Sequence, residues 1–163
     1  MRSLLAQSAL ALGLACAPAL CHAEVQRPRL AGRWRVEFKL SGAEDHVLQF
    51  DANAQGRGTF LLLDSASSLN APAEPTKAEW AVPRPHQVTF SGAIEFPIGN
   101  VGRDPGTLVF KGAFDSGESI SGRVEFYRVG QDAKDPGIAP AKAGDFTARR
   151  VGRGPRGRET PRR

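Results

Sequence analysis

Few residues of this 163-residue chain could carry chemistry: three histidines, two cysteines, a glycine-rich loop ending on an arginine, and an arginine-rich C-terminus. His46 and His86 are the histidines outside the N-terminal segment, and neither stands in a zinc spacing such as two histidines four apart or a histidine beside a cysteine pair. A Ser-His-Asp site lacks its usual companion, a Gly-x-Ser-x-Gly elbow. The sequence therefore assigns no catalytic residue, no metal ligand and no cofactor. Both histidines read as solvated residues at strand ends.

The loop Phe96-Pro97-Ile98-Gly99-Asn100-Val101-Gly102-Arg103-Asp104-Pro105-Gly106 is the most distinctive candidate site. Gly99 and Gly102 permit positive φ, so the amides around Asn100 could form an anion-binding concavity with Arg103 adding a charge-assisted contact. The loop has neither the Gly-Lys-Ser/Thr ending of a P-loop nor the third glycine and following helix of a dinucleotide fingerprint. Its alternative reading is a wide hairpin connection closed by an Asp-Pro-Gly turn, a tripeptide repeated at Asp135-Pro136-Gly137.

Charge is distributed unevenly. Residues 24–148 carry 14 Lys and Arg against 16 Asp and Glu, whereas residues 149–163 carry seven arginines against Glu159. The basic pI thus belongs to a tail, expected to be disordered over residues 151–163 because it is rich in Gly, Pro and like charges and nearly devoid of apolar residues. Such a tail could adhere to a polyanion or an anionic membrane surface. It has no aromatics for base stacking, so no specific nucleic acid is expected.

At the other end, Arg2 precedes an Ala/Leu-rich run from Leu4 to about Leu20, then small residues and the polar start Glu24-Val25-Gln26-Arg27. This is the plan of a secretory signal peptide over residues 1–23, cleaved after Ala23, and it predicts a periplasmic or secreted protein. The run is short for a transmembrane span. Lipoprotein processing at Cys16 is the other alternative, but Gly13-Leu14-Ala15 sets the leucine too close to the cysteine. Removal of the segment takes both Cys16 and Cys21, so the remaining 140 or so residues must fold as a single domain without a disulfide.

Between the two ends the pattern alternates with period two, and no stretch shows a helical stripe. The clearest strand is 32–40, with Trp34, Val36, Phe38 and Leu40 on one face and Arg33, Arg35, Glu37 and Lys39 on the other. Further strands are predicted over 46–51, 58–64, 78–82, 87–96, 106–114, 119–129 and 145–149. Residues 65–76 form a long loop, Pro83 and Pro85 end the fourth strand, and 130–142 form a Gly/Pro-rich loop. Gly92, Gly112 and Gly122 interrupt otherwise bulky inward rows, as expected where strands bend sharply or a side chain lies across them. Eight consecutive strands with mostly short connections predict an all-β, antiparallel up-and-down barrel over residues 24–150, with a two-sheet sandwich as the alternative. The charged outward row of the first strand argues against an outer-membrane barrel.

At Gly32-Arg33-Trp34 the sequence resembles the Gly-x-Trp signature of the lipocalin-like (calycin) barrels, in which a basic residue near the last strand packs over the tryptophan. Arg149 or Arg150, after Phe146-Thr147-Ala148, matches that residue, and Arg149 is assigned the structural role beside Gly32 and Trp34. The resemblance implies an eight-stranded meander whose apolar interior holds a small hydrophobic ligand or, in some members, none. Trp34, Phe38, Phe50, Phe90, Phe110 and Phe126 are the interior residues that would contact such a ligand. Three readings follow: a monomeric exported barrel binding a small apolar ligand, a non-enzymatic envelope module contacting a macromolecule through loops or tail, and an enzyme of unrecognised type.

Overall fold

A computed structural model describes residues 30–63, 74–98 and 102–152. The expected signal peptide and the tail beyond Gly152 lie outside the described residues. Eight strands run in chain order: β1 (Gly32–Leu40), β2 (Asp45–Ala52), β3 (Arg57–Leu62), β4 (Thr76–Arg84), β5 (Gln87–Ile98), β6 (Gly102–Phe114), β7 (Ser119–Arg128) and β8 (Lys142–Arg150). Each pairs antiparallel with the next, and β8 closes on β1 from Trp34↔Arg150 to Leu40↔Gly144. The closed meander is the expected fold, and this last ladder excludes the sandwich, whose two sheets would leave β1 and β8 as edges.

Alternation does the positioning. Along β1 the inward residues Trp34, Val36, Phe38 and Leu40 are buried and the outward Arg33, Arg35, Glu37 and Lys39 exposed. The other inward rows meet them in one hydrophobic cluster, where each large side chain withdrawn from water contributes about 1.5–3 kcal/mol. The outer wall carries exposed ion pairs, including Arg33–Asp51 at 2.7 Å and Lys39–Asp45 at 3.2 Å. Pairs this exposed add little stability; they keep the wall wet.

The glycines have the role the alternation suggested. The Phe60 ring lies over Gly92, where a Cβ would come within 2.7 Å of Phe60 Cδ2, and the Phe146 ring lies over Gly112. Gly112 and Gly122 are direct partners across β6 and β7. At Gly92 and Gly112 rings occupy the space a side chain would have taken, and at Gly122 the backbone of Lys111 and Gly112 does.

Several boundaries differ from expectation. β4 continues through Pro83, which does not end it, because the ladder to β5 changes register between Ala81 and Arg84. The expected Asp104-Pro105-Gly106 turn is strand instead: Asp104 pairs with Phe96 and Pro105 with Glu95. Proline is tolerated there since the β6–β7 ladder begins only at Gly106↔Arg128, leaving its missing N–H unneeded on that side. Asp135-Pro136-Gly137 does turn, with Asp135 Oδ1 accepting from Gly137 N at 2.8 Å. His86 is exposed in the tight β4–β5 turn at φ 66°. His46 departs from the solvated reading, since its ring packs on Phe38 and Phe96 with centroids 5.3 and 4.9 Å apart.

Candidate functional site

All six residues expected to line the interior point inward and are buried: Trp34, Phe50 and Phe126 at 0% exposure, Phe90 at 1%, Phe110 at 0% and Phe38 at 3%. Each packs against another aromatic ring of the core, Trp34 against Phe114 with centroids 6.3 Å apart and Phe126 against Phe96 at 5.3 Å. Phe50, Phe90 and Phe110 form a continuous stack, with centroids 4.8 Å apart at 8° and then 4.6 Å apart at 12°. Phe60 and Phe146 meet this stack edge-on, Phe60 at 5.8 Å from Phe110 and Phe146 at 5.5 Å from Phe90. Phe38 joins through Phe110, and Phe96 through Phe38 and Phe126. Offset and edge-to-face contacts at these distances are those of a packed aromatic core. Among the described residues no polar or charged side chain is buried, so the interior has no group to orient a ligand's polar end.

One end of the barrel is sealed from Gly32 and Trp34 upward. Leu30 is fully buried ahead of β1, and its carbonyl accepts a bond from Trp34 Nε1 at 2.6 Å. The cation over the indole is Arg150, whose guanidinium carbon lies 4.4 Å from the ring centroid. Arg150 Nη1 also donates to Ala31 O at 2.8 Å. Gly32, at φ 138°, lies directly beneath that guanidinium, so any side chain there would collide with it. Of the two arginines the sequence offered, Arg149, assigned this role, is instead exposed on the outer wall. The reason is parity: Phe146 and Ala148 point inward, so the next inward residue is Arg150. Arg150→Ala is expected to cost about 1–3 kcal/mol from the lost cation–π contact and the orphaned Ala31 carbonyl. The same variant should shift tryptophan emission to the red, which urea titration followed by fluorescence reads together with the stability. An unchanged midpoint and spectrum would rule out the cap.

The loop candidate is not brought together as a site in the described residues. Gly99 and Asn100 lie outside them. Gly102 opens β6 without a positive φ, and Arg103 pairs with Glu95 Oε2 at 3.0 Å, which places a carboxylate where an anion would have to bind.

Two outer-wall features were missed. Lys111 Nζ and Tyr127 Oη both donate to Glu125 Oε2, at 2.7 and 2.8 Å. Burial pushes the Glu125 carboxyl up, but these two bonds and the charges of Lys111 and Arg123 outweigh it and hold it below the usual carboxylate range. Burial first, then the bond to Glu125, pushes the Tyr127 phenol up to about 12. Both effects keep Tyr127 neutral and Glu125 ionised, a structural arrangement with no proton poised for transfer near neutral pH.

The second feature is an open groove of about 370 Å³ lined by Gln55, Gly56, Arg57, Glu79, Trp80, Ala81, Thr89 and Ser91. It exists because the β3–β4 ladder stops at Arg57↔Glu79 while β4 runs on to Arg84. The β2–β3 turn is fixed beside it: Asn53 Oδ1 accepts from Gln55 N and Arg57 N, and Trp80 Nε1 donates to Asn53 O at 2.9 Å. Among the described residues no group of three or more His, Cys, Asp or Glu could hold a metal ion. Comparison of the chain with protein-family models and with curated proteins found no match.

Proposed function

We propose that the chain is an exported, non-enzymatic, lipocalin-like barrel that acts through its outer surface, its interior being a solid core rather than a ligand chamber. The observation that carries this reading is the Phe50–Phe90–Phe110 stack with Phe60 and Phe146 edge-on to it, which occupies the middle of the barrel. A carrier of a small apolar molecule would need those rings to part, losing contacts that an empty, dry cavity does not restore. Kinship with the lipocalin-like barrels is supported by Gly32, Trp34 and the stacked Arg150, and export by the signal-peptide pattern of residues 1–23. The wall supports action in water, since its outward rows are charged and its inward rows apolar, the inverse of a membrane-spanning barrel with a polar lumen.

The test is titration of the folded protein, beginning at Glu24, with anilinonaphthalene sulfonate and then with a long-chain fatty acid. The expected result is no saturable fluorescence enhancement and no rise in thermal midpoint. Stoichiometric enhancement displaced by the fatty acid would reverse the reading in favour of the interior carrier.

A further inference from the structure

The groove beside Trp80 is formed by the outer wall and the β2–β3 turn. Glu79 and Ala81 of β4 stand opposite Ser91 and Thr89 of β5, and Arg57 of β3 stands opposite Glu79. All five line the groove, while the residues of opposite parity, Ala78 and Phe90, are buried in the core. Gln55 completes the rim from a turn held on both sides, Asn53 N donating to Arg57 O and Trp80 N to Gly56 O, each at 2.8 Å. Gly56, at φ 80°, permits that approach, since a Cβ there would lie 3.2 Å from Trp80 O. Backbone thus fixes the walls, and the polar side chains are left unspent. Arg57 and Glu79, though directly opposite, form no ion pair with each other or with any other described residue. The side chains of Gln55, Thr89 and Ser91 likewise bond to no described residue.

We propose that this groove is a binding site for a neutral saccharide. The proposal rests on the outer-surface reading and names the place through which that surface acts. One cation and one anion face each other in the groove, so it favours no net charge, and both are exposed enough for salt to screen a bound ion. What it offers instead is a rim of hydrogen-bonding groups: a guanidinium, a carboxylate, an amide and two hydroxyls. The guanidinium donates to two neighbouring oxygens and the carboxylate accepts from two neighbouring hydroxyls, which matches the adjacent hydroxyl groups of a pyranose ring. Ala81 and Trp80 supply apolar surface for the ring's C–H face. The volume of about 370 Å³ lies at the lower end of the range of about 300–1,000 Å³ that small-molecule clefts occupy.

The test uses the chain from Glu24 to Arg163 and its two indole N–H signals in nuclear magnetic resonance, Trp80 beside the groove and Trp34 buried in the core at 0% exposure. Maltotriose, cellotriose and triacetylchitotriose are titrated in turn. At least one is expected to move the Trp80 signal and leave that of Trp34 in place, with a dissociation constant of about 1 mM. Pull-down on the polymer of the trisaccharide that binds then separates a polysaccharide ligand, which retains the protein, from a free sugar, which does not. Glu79→Ala and Arg57→Ala should each weaken binding about ten-fold through loss of a charge-assisted hydrogen bond. Ala81→Trp should abolish it by filling the groove. All three variants should keep the parent's thermal midpoint, because the replaced side chains are exposed and bonded to no described residue. The proposal is overturned if no trisaccharide moves the Trp80 signal, if Ala81→Trp binds as the parent does, or if the zwitterion glycylglycine moves that signal as strongly as the best saccharide. None of these results touches the probe titration, which reads the interior, so the outer-surface reading stands or falls separately.

Discussion

Gly112→Val is expected to cost the barrel about 3 kcal/mol or more, a large share of the roughly 5–15 kcal/mol that holds a domain of this size together. Gly112 faces Gly122 across β6 and β7. A Cβ at position 112 would come within 2.6 Å of Ser121 O, 2.8 Å of Phe146 Cζ and 3.1 Å of Ile120 Cγ2. The first of these is backbone held in the β7 ladder and cannot step aside, while the second is the far end of a ring wedged against Phe90 and Phe110. Either β7 is pushed out of register or the ring row is, and both alternatives break long-range contacts of the closed sheet. Adding Phe146→Leu to the valine variant should recover only part of the loss, because the carbonyl oxygen remains. Urea unfolding monitored by far-UV circular dichroism measures both variants, and a valine variant within about 0.5 kcal/mol of the parent would refute the close packing of β6 on β7.

The glycines behind that cost were legible in the sequence. A glycine in the middle of each inward row of the fifth, sixth and seventh strands has few explanations besides curvature and a ring lying across it, and a ring does lie across Gly92 and Gly112. The alternation of β1 was equally direct, because one residue's shift would have placed four charges in the core. Parity also contained the correct identity of the cation over Trp34: with Phe146 and Ala148 inward, Arg150 is inward and Arg149 is not. What sequence could not convey was whether the phenylalanines fill the barrel or line a space, since that depends on strand tilt and ring orientation, which no spacing encodes. The groove beside Trp80 was hidden for a related reason. It arises where β4 outruns β3, and the lengths of two partners in a ladder follow from register rather than from either strand's own residues. Proline misled as well, because Pro83 and Pro105 stop a strand only where their missing N–H faces a neighbour.

Whether the interior is solid is decided most sharply by Phe90→Ala. Phe90 lies between Phe50 and Phe110 and touches Phe60 and Phe146 edge-on, at 6.2 and 5.5 Å. Its removal takes a whole ring from the centre of the stack, and the flanking rings cannot close the gap without leaving their own contacts at the wall. A loss of about 3–5 kcal/mol is expected, from the lost burial together with the void that remains. An apolar void of that size stays dry and admits a small aromatic guest. Benzene at 100 times its dissociation constant should then return about 2.7 kcal/mol to the variant and nothing to the parent, measured as the rise in thermal midpoint of each. The comparison separates two barrels that a mutation's cost alone would not. If the parent already gains stability from benzene, the rings surround a chamber and the outer-surface reading loses its basis. If only the variant gains, the phenylalanines are themselves the contents of the barrel, and the surface is what remains for a partner to meet.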